Sequence, residues 1–198
     1  MQNSTAIIMA AGSSRRMGTQ KLLLPFRHST LIESAVRNIL RSRVERTMVV
    51  LGMDSEKVRH ALSHLPVDFV YNEHHESGMF SSVVAGLGNL PENAGPLLFF
   101  LGDQPEIPPG VINRLLESYE KEDAGIVIPV HRHRRGHPLL VSPHISRHIP
   151  GLDPQQGLRS LLPLFPEQIL EVEVDAPGIL MDIDTPEEYQ QAIKTERI

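Results

Sequence analysis

Apolar and polar positions follow two periods along this chain, and the switches between them mark its elements. A short apolar run over Ala6–Ala11 has the length and bounds of a buried parallel strand. Leu31, Ile32, Ala35, Val36, Ile39 and Leu40 then recur with a helical period. A second, β-branched strand is predicted over Thr47–Gly52, a helix over Asp54–Leu65 and a short strand over Asp68–Tyr71. A polar loop follows, then a helix to about Leu90, with Ser81 or Ser82 available as its cap. Leu97–Leu101, five consecutive apolar residues, is the most buried-looking strand of the chain. Pro108 and Pro109 open a helix that presents Val111, Ile112, Leu115, Leu116 and Tyr119 on one face. Ala124–Val130 and Leu139–Ser142 read as the arms of a hairpin, and Ile169–Val174 as a half-exposed strand. Strands alternating with helices predict βαβ units with right-handed crossovers. The fold class is therefore α/β: a three-layer, Rossmann-like domain whose mostly parallel sheet makes an antiparallel excursion around residues 125–142. No linker, repeat or low-complexity stretch interrupts the 198 residues, so a single domain over 1–198 is expected.

Composition narrows the setting. Hydrophobic residues at 40% and charged residues at 22% are ordinary for a globular protein, and the net charge of −5 gives no basis for a nucleic-acid partner. Any anion must be bound by local clusters. The absence of cysteine excludes disulfides and thiolate chemistry. No apolar run reaches the length of a membrane span and the N-terminus lacks a signal pattern, so no membrane partner and a cytoplasmic location are expected.

Four stretches carry candidate chemistry. The first strand opens into Gly12-Ser13-Ser14-Arg15-Arg16-Met17-Gly18-Thr19-Gln20-Lys21. Glycines there let backbone N–H groups face an anion, and Arg16 and Lys21 add full charges, the chemistry of a polyphosphate cradle at the carboxyl end of a strand. The P-loop and the dinucleotide-binding glycine patterns are both absent. The buried strand ends in Gly102-Asp103-Gln104-Pro105, where a carboxylate held by a tight turn suits a divalent cation. His131-Arg132-His133-Arg134-Arg135-Gly136-His137-Pro138 is the densest positive cluster of an acidic chain; its histidines suggest a metal, but the neighbouring arginines favour an anion. His74, His75 and Glu76 read as solvated loop residues, and His144 and His148 as surface. Near the end, Asp182 and Asp184 stand at alternate positions of what reads as a short strand, facing one way, a concentration of negative charge that a divalent cation would relieve. Thr185, Pro186 and Glu188 after them form a capping box.

Taken in order, these stretches resemble the MobA-like nucleotidyltransferases. Met9-Ala10-Ala11-Gly12 through Lys21 resembles that family's Leu-Ala-Ala-Gly-x-Ser-x-Arg-Met-Gly-x-x-Lys signature, with Met9 in place of leucine. Gly78-Met79-Phe80-Ser81-Ser82, Gly102-Asp103-Gln104-Pro105, Gly136-His137-Pro138 and Asp182-Ile183-Asp184-Thr185-Pro186 resemble its later motifs. Arg159 falls in a segment that departs from the family pattern, with the expected Gly-Asp altered and Leu158 replacing alanine. The resemblance implies a nucleotide site of Ala10, Ala11, Gly12, Ser13, Ser14, Arg16, Lys21, Gly78, Ser81, Ser82 and Gly102. It implies catalysis by Arg16, Lys21 and Asp103, and Mg²⁺ on Asp103 with Asp182 or Asp184. The acceptor would meet Gly136, His137, Pro138 and Arg159. Ala-Ala-Gly and Gly-Asp-Gln-Pro look most similar to the molybdenum cofactor cytidylyltransferase branch. That implies CTP (or another NTP) as donor, molybdopterin or molybdenum cofactor as acceptor, and a molybdenum hydroxylase receiving the product. Sugar or alcohol phosphate acceptors, an NAD(P)-dependent oxidoreductase and a non-catalytic cofactor chaperone stand beside it as alternatives.

Overall fold

The computed structural model describes residues 3–12, 20–52 and 55–194. Along the chain come β1 (Thr5–Ala10), a small hairpin of β2 (Pro25–Phe26) and β3 (Ser29–Thr30), α1 (Leu31–Leu40), β4 (Arg46–Leu51), α2 (Ser55–Leu62) and β5 (Asp68–Tyr71). Then follow α3 (Met79–Leu87), β6 (Leu97–Leu101), α4 (Pro109–Glu122), β7 (Ile126–His131), β8 (Arg134–Arg135) and β9 (Leu139–Val141). Two single-turn helices, α5 (Pro143–Ser146) and α6 (Leu161–Leu164), lead to β10 (Ile169–Glu173) and the closing helix α7 (Pro186–Lys194).

The main sheet runs β10-β7-β9-β6-β1-β4-β5, with β8 added to β7. β1 pairs in parallel with β4 on one side, Thr5 opposite Arg46, and with β6 on the other, Thr5 opposite Leu97. β9 is the expected excursion, antiparallel to both β6 and β7. Period-two alternation then sorts the strands' side chains into two layers. Ala6, Ile8 and Ala10 with Leu98 and Phe100 face Ile32, Val36, Val58, Leu62, Ile112 and Leu115, which belong to α1, α2 and α4. On the opposite face Ile7, Met48, Val50 and Phe99 meet Phe80 and Val83 of α3 and the apolar residues Ile145, Ile149 and Leu161. Helices on both faces explain why the central strands read as continuous apolar runs.

A satellite core of Phe26, Leu31, Ile183 and Ala192, with Leu24 and Tyr189 against it, joins the β2–β3 hairpin to the last helix. The Tyr189 hydroxyl also donates to the Pro25 carbonyl at 2.7 Å. The two chain segments flanking the site are thereby clamped together from behind.

Two expectations are corrected. Asp182 and Asp184 stand on an irregular extended segment rather than a strand, entering α7; backbone bonds tie it sideways, Ile183 N–H to the Asp103 carbonyl at 3.3 Å. Neither Ser81 nor Ser82 caps α3. Its N-cap is Gly78, at φ 98°, and both serines lie inside the first turn. The capping box at α7 forms as read: Glu188 N–H donates to Thr185 Oγ1 at 3.2 Å and Thr185 N–H to Glu188 Oε2 at 2.9 Å.

Candidate active site

The chain adds β4 and β5 on one side of β1, then returns to place β6 on the other. At such a reversal the loops leaving two neighbouring strands diverge, and a crevice opens beyond their carboxyl ends. Here the loops that follow β1 and β6 carry Lys21 and Asp103. A cleft of about 470 Å³ occupies the position, with Gly12, Lys21, Asp103, Asp182 and Asp184 among its lining. Gly78 and Ser82 close it from the α3 side, with His75 and Glu76, which read as ordinary loop residues in the sequence.

Lys21 is the hub. Its Nζ donates to Asp103 Oδ2 and, at 2.6 Å, to Asp184 Oδ1, and its side chain keeps only 12% of its exposure. Burial works against the charge, but Asp103, both as a neighbouring charge and as a hydrogen-bond acceptor, and Asp184 outweigh it. They hold the ammonium above its ordinary pKa. At an effective dielectric of about 20, two unit charges about 4 Å apart attract by about 4 kcal/mol, so two carboxylates suffice to offset partial desolvation. The capping box has a second use here, because Glu188 Oε2 also accepts from the Asp184 N–H at 2.8 Å and fixes the backbone beneath that carboxylate.

Asp182 is held differently. Gln104 Nε2 donates to its Oδ1 at 2.5 Å. Loss of water raises its carboxyl pKa, the Gln104 bond opposes the rise, and the nearby charges of Asp103 and Asp184 push it up further. Among the described residues Asp103 Oδ1 and Gln104 Oε1 are buried without a hydrogen-bond partner. The acceptor-side residues gather next to this cluster. Gly136 and His137 pack on the Ile179 turn, His137 N–H donating to the Ile179 carbonyl at 2.9 Å, and the His137–Pro138 bond is cis. Burial lowers the His137 pKa, and the nearby Arg159 charge lowers it too. Together they prevail over attraction from Asp182 and Asp103 and a hydrogen bond with the Phe99 backbone. Arg159 is itself exposed.

The structure thus brings together Gly12, Lys21, Gly78, Ser82, Asp103, Asp182 and Asp184, with His137 and Arg159 alongside. Ala10 and Gly102 are buried in the strand ends beneath, and Ala11 joins the wall. Ser81 turns away: its hydroxyl donates to the Gly78 carbonyl at 2.7 Å, and it lines a separate groove on the outer side of α3. Ser13, Ser14 and Arg16 lie outside the described residues. No group of three or more histidine or acidic side chains is poised as a metal cage among the described residues; Lys21 stands between two of the three carboxylates instead.

Two organising residues escaped the sequence reading. Asn72, 2% exposed, donates from Nδ2 to Ser81 Oγ at 2.8 Å and Ser82 Oγ at 3.1 Å, while its Oδ1 accepts from the His74 N–H at 2.9 Å. It joins the end of β5 to the start of α3 and so sets the Gly78–Ser82 turn. Gln104, equally buried, sits directly after Asp103 in the Gly102–Pro105 motif and holds Asp182. An amide side chain within three residues of a strand's end is the one signal these two positions offered.

The chain belongs to the MobA-like NTP transferase family, whose model matches residues 6–171. Among curated proteins it is 29% identical to a nicotine blue oxidoreductase from Paenarthrobacter nicotinovorans, covering 96% of each chain. It is 26% identical to the molybdenum cofactor cytidylyltransferase of Escherichia coli, covering 92% of each. Among solved structures, a nucleotidyl transferase from Methanothermobacter superposes with a TM-score of 0.83 at 25% identity, covering 97% of this chain and 96% of that one.

Proposed function

We propose that this protein transfers CMP from CTP to the phosphate of molybdopterin, releasing pyrophosphate, with a divalent metal ion, Mg²⁺, held by Asp103 together with Asp182 or Asp184. The observation that carries the reading is the convergence of Lys21, Asp103, Asp182 and Asp184 in one cleft at the strand-order reversal. The donor set fits a hard cation: carboxylate oxygens, one of which, Asp103 Oδ1, is buried and unpartnered among the described residues. The Escherichia coli relative and the Ala10-Ala11-Gly12 and Gly102-Asp103-Gln104-Pro105 motifs support the cytidylyl donor and the molybdopterin acceptor.

In the reaction an acceptor phosphate oxygen attacks the α-phosphorus, a P–O bond forms there, and the bond to the β-phosphate breaks to release pyrophosphate. When bound, the metal ion would neutralise charge on the phosphates. The chain's own share is positioning and electrostatics. Gly12 and Gly78 leave room for the nucleotide against the backbone, Ser82 offers a hydroxyl, and Lys21 and Arg16 bind the leaving pyrophosphate. Gly136, His137, Pro138 and Arg159 face the acceptor. Because the nucleophile is already an anion, no side chain need take its proton.

A second reading follows from the 29% identity to a nicotine blue oxidoreductase: reduced nicotinamide would bind and no pyrophosphate would form. One experiment separates them. Protein is incubated with CTP, GTP or ATP, Mg²⁺ and molybdopterin while pyrophosphate is followed, and NADH and NADPH binding is measured in parallel. Release with CTP preferred supports the proposal, a GTP preference moves the donor to guanylyl, and nicotinamide binding without pyrophosphate replaces the reading.

A further inference from the structure

We propose that Lys21 is the resident counter-ion of the carboxylate cluster, and that divalent cation and polyphosphate enter the cleft together by ion exchange: the cation takes the carboxylates from Lys21 while Lys21 transfers to the phosphates. The inference rests on the assignment of the cleft to a metal and a nucleotide, and adds a binding order to it.

The Lys21 ammonium bonds Asp103 and Asp184 at once, so the position between two of the three carboxylates already holds a cation. Asp103 gives Lys21 one oxygen and keeps the other buried and unpartnered among the described residues, so its capacity is only half used. Asp182 stays outside the bridge, held at 2.5 Å by the neutral amide of Gln104.

Neither ligand enters well by itself. A lone divalent cation would have to displace an ammonium that is nearly out of water, leaving that charge in the cleft without its anions. A lone polyphosphate would meet three carboxylates and find Lys21 already engaged. When both enter, every charge regains an opposite neighbour, and a four-methylene lysine stem is long enough to swing between partners in one cleft. The two ligands therefore bind with positive coupling, which by linkage is the same whichever is added first.

The test uses Mn²⁺ and inorganic tripolyphosphate as probes on the full chain. Mn²⁺ affinity is read by water-proton relaxation for the wild type and for Lys21→Met and Lys21→Gln. Tripolyphosphate affinity is read by calorimetry with the metal saturating or chelated. The wild type is expected to bind tripolyphosphate at least tenfold more tightly with metal than without. The Lys21 variants are expected to bind Mn²⁺ alone at least tenfold more tightly than the wild type, and to lose most of the coupling. Should Lys21→Met fail to fold, the polar, uncharged Lys21→Gln and the wild-type coupling still decide. Variants that bind Mn²⁺ no better than the wild type, or tripolyphosphate binding indifferent to metal, overturn the exchange. Pyrophosphate release with no coupling would leave the proposed reaction standing and remove this inference. Strong coupling without pyrophosphate release from any nucleotide would do the opposite.

Discussion

Gly136 lies so close to Ile179 that a Cβ on the glycine would stand 2.3 Å from the Ile179 carbonyl oxygen. The obstacle is backbone, which cannot rotate aside as a side chain could. Gly136→Ala should therefore push the basic hairpin away from the turn that leads to Asp182 and Asp184, lowering stability by about 1–3 kcal/mol. A urea midpoint equal to the wild type's would show that the contact yields without strain.

Asp103→Asn tests the Lys21 bridge in the unliganded protein. Crowded carboxylates alone would make such a change stabilising, but Lys21 reverses the expectation, because its half-spent partner is removed. A loss of about 1–3 kcal/mol is expected, with turnover falling at least a hundredfold. Thermal melts with and without Mg²⁺ and CTP check both, since the wild type should gain stability from the ligand pair through linkage and the variant much less. An unchanged melt accompanied by full activity would contradict the site.

Stability should fall at both ends of the pH range for different reasons. Lys21 has a folded pKa above its ordinary value of 10.5, so its contribution is complete below 10.5 and is lost as pH rises through the folded value. His137 has a folded pKa below 6.5; the unfolded chain then binds more protons, and the contribution present above pH 6.5 is lost as pH falls toward the folded value. Between pH 7 and 5 the wild type should lose more stability than His137→Gln, measured by urea titration at each pH. Equal slopes would count against the buried neutral ring.

Asn72→Ala removes three hydrogen bonds at the foot of the Gly78–Ser82 turn. A loss of about 1–3 kcal/mol is expected, because Ser82 and the His74 N–H lose their partner in a largely dry place. Asn72→Asp keeps the acceptor for the His74 N–H and loses the donors to both serines. A nucleotide KM raised several-fold by both variants, with kcat much less affected, would show that the turn serves binding; unchanged KM would make Asn72 purely structural.

Local chemistry accounts for what the sequence revealed and what it hid. Leu97–Leu101 was legible because a strand buried on both faces must be apolar throughout. The capping box was legible because both of its bonds close within three residues of Thr185. Lys21 was legible as a cation beside the strand end. Its partners were not, since they lie 82 and 163 residues away in the chain and only the strand order brings them within reach. Asp182 and Asp184 alternate like a strand, yet among the described residues no neighbouring strand pairs with their backbone. Ser81 and Ser82 have the chemistry of caps, but Gly78 at positive φ starts the helix three residues earlier.

The placement of β9 has a consequence for synthesis. Among the described residues it is the strand that joins β6 to β7, so between the emergence of Leu97–Leu101 from the ribosome and that of residues 139–141 the strand Leu97–Leu101 has β1 on one side and no described strand on the other. At about 5–20 residues per second that interval lasts seconds. For its duration the nascent chain displays an unpaired edge of five apolar residues, the kind of surface on which chains aggregate. Arrival of Leu139–Val141 ends the exposure by pairing that edge.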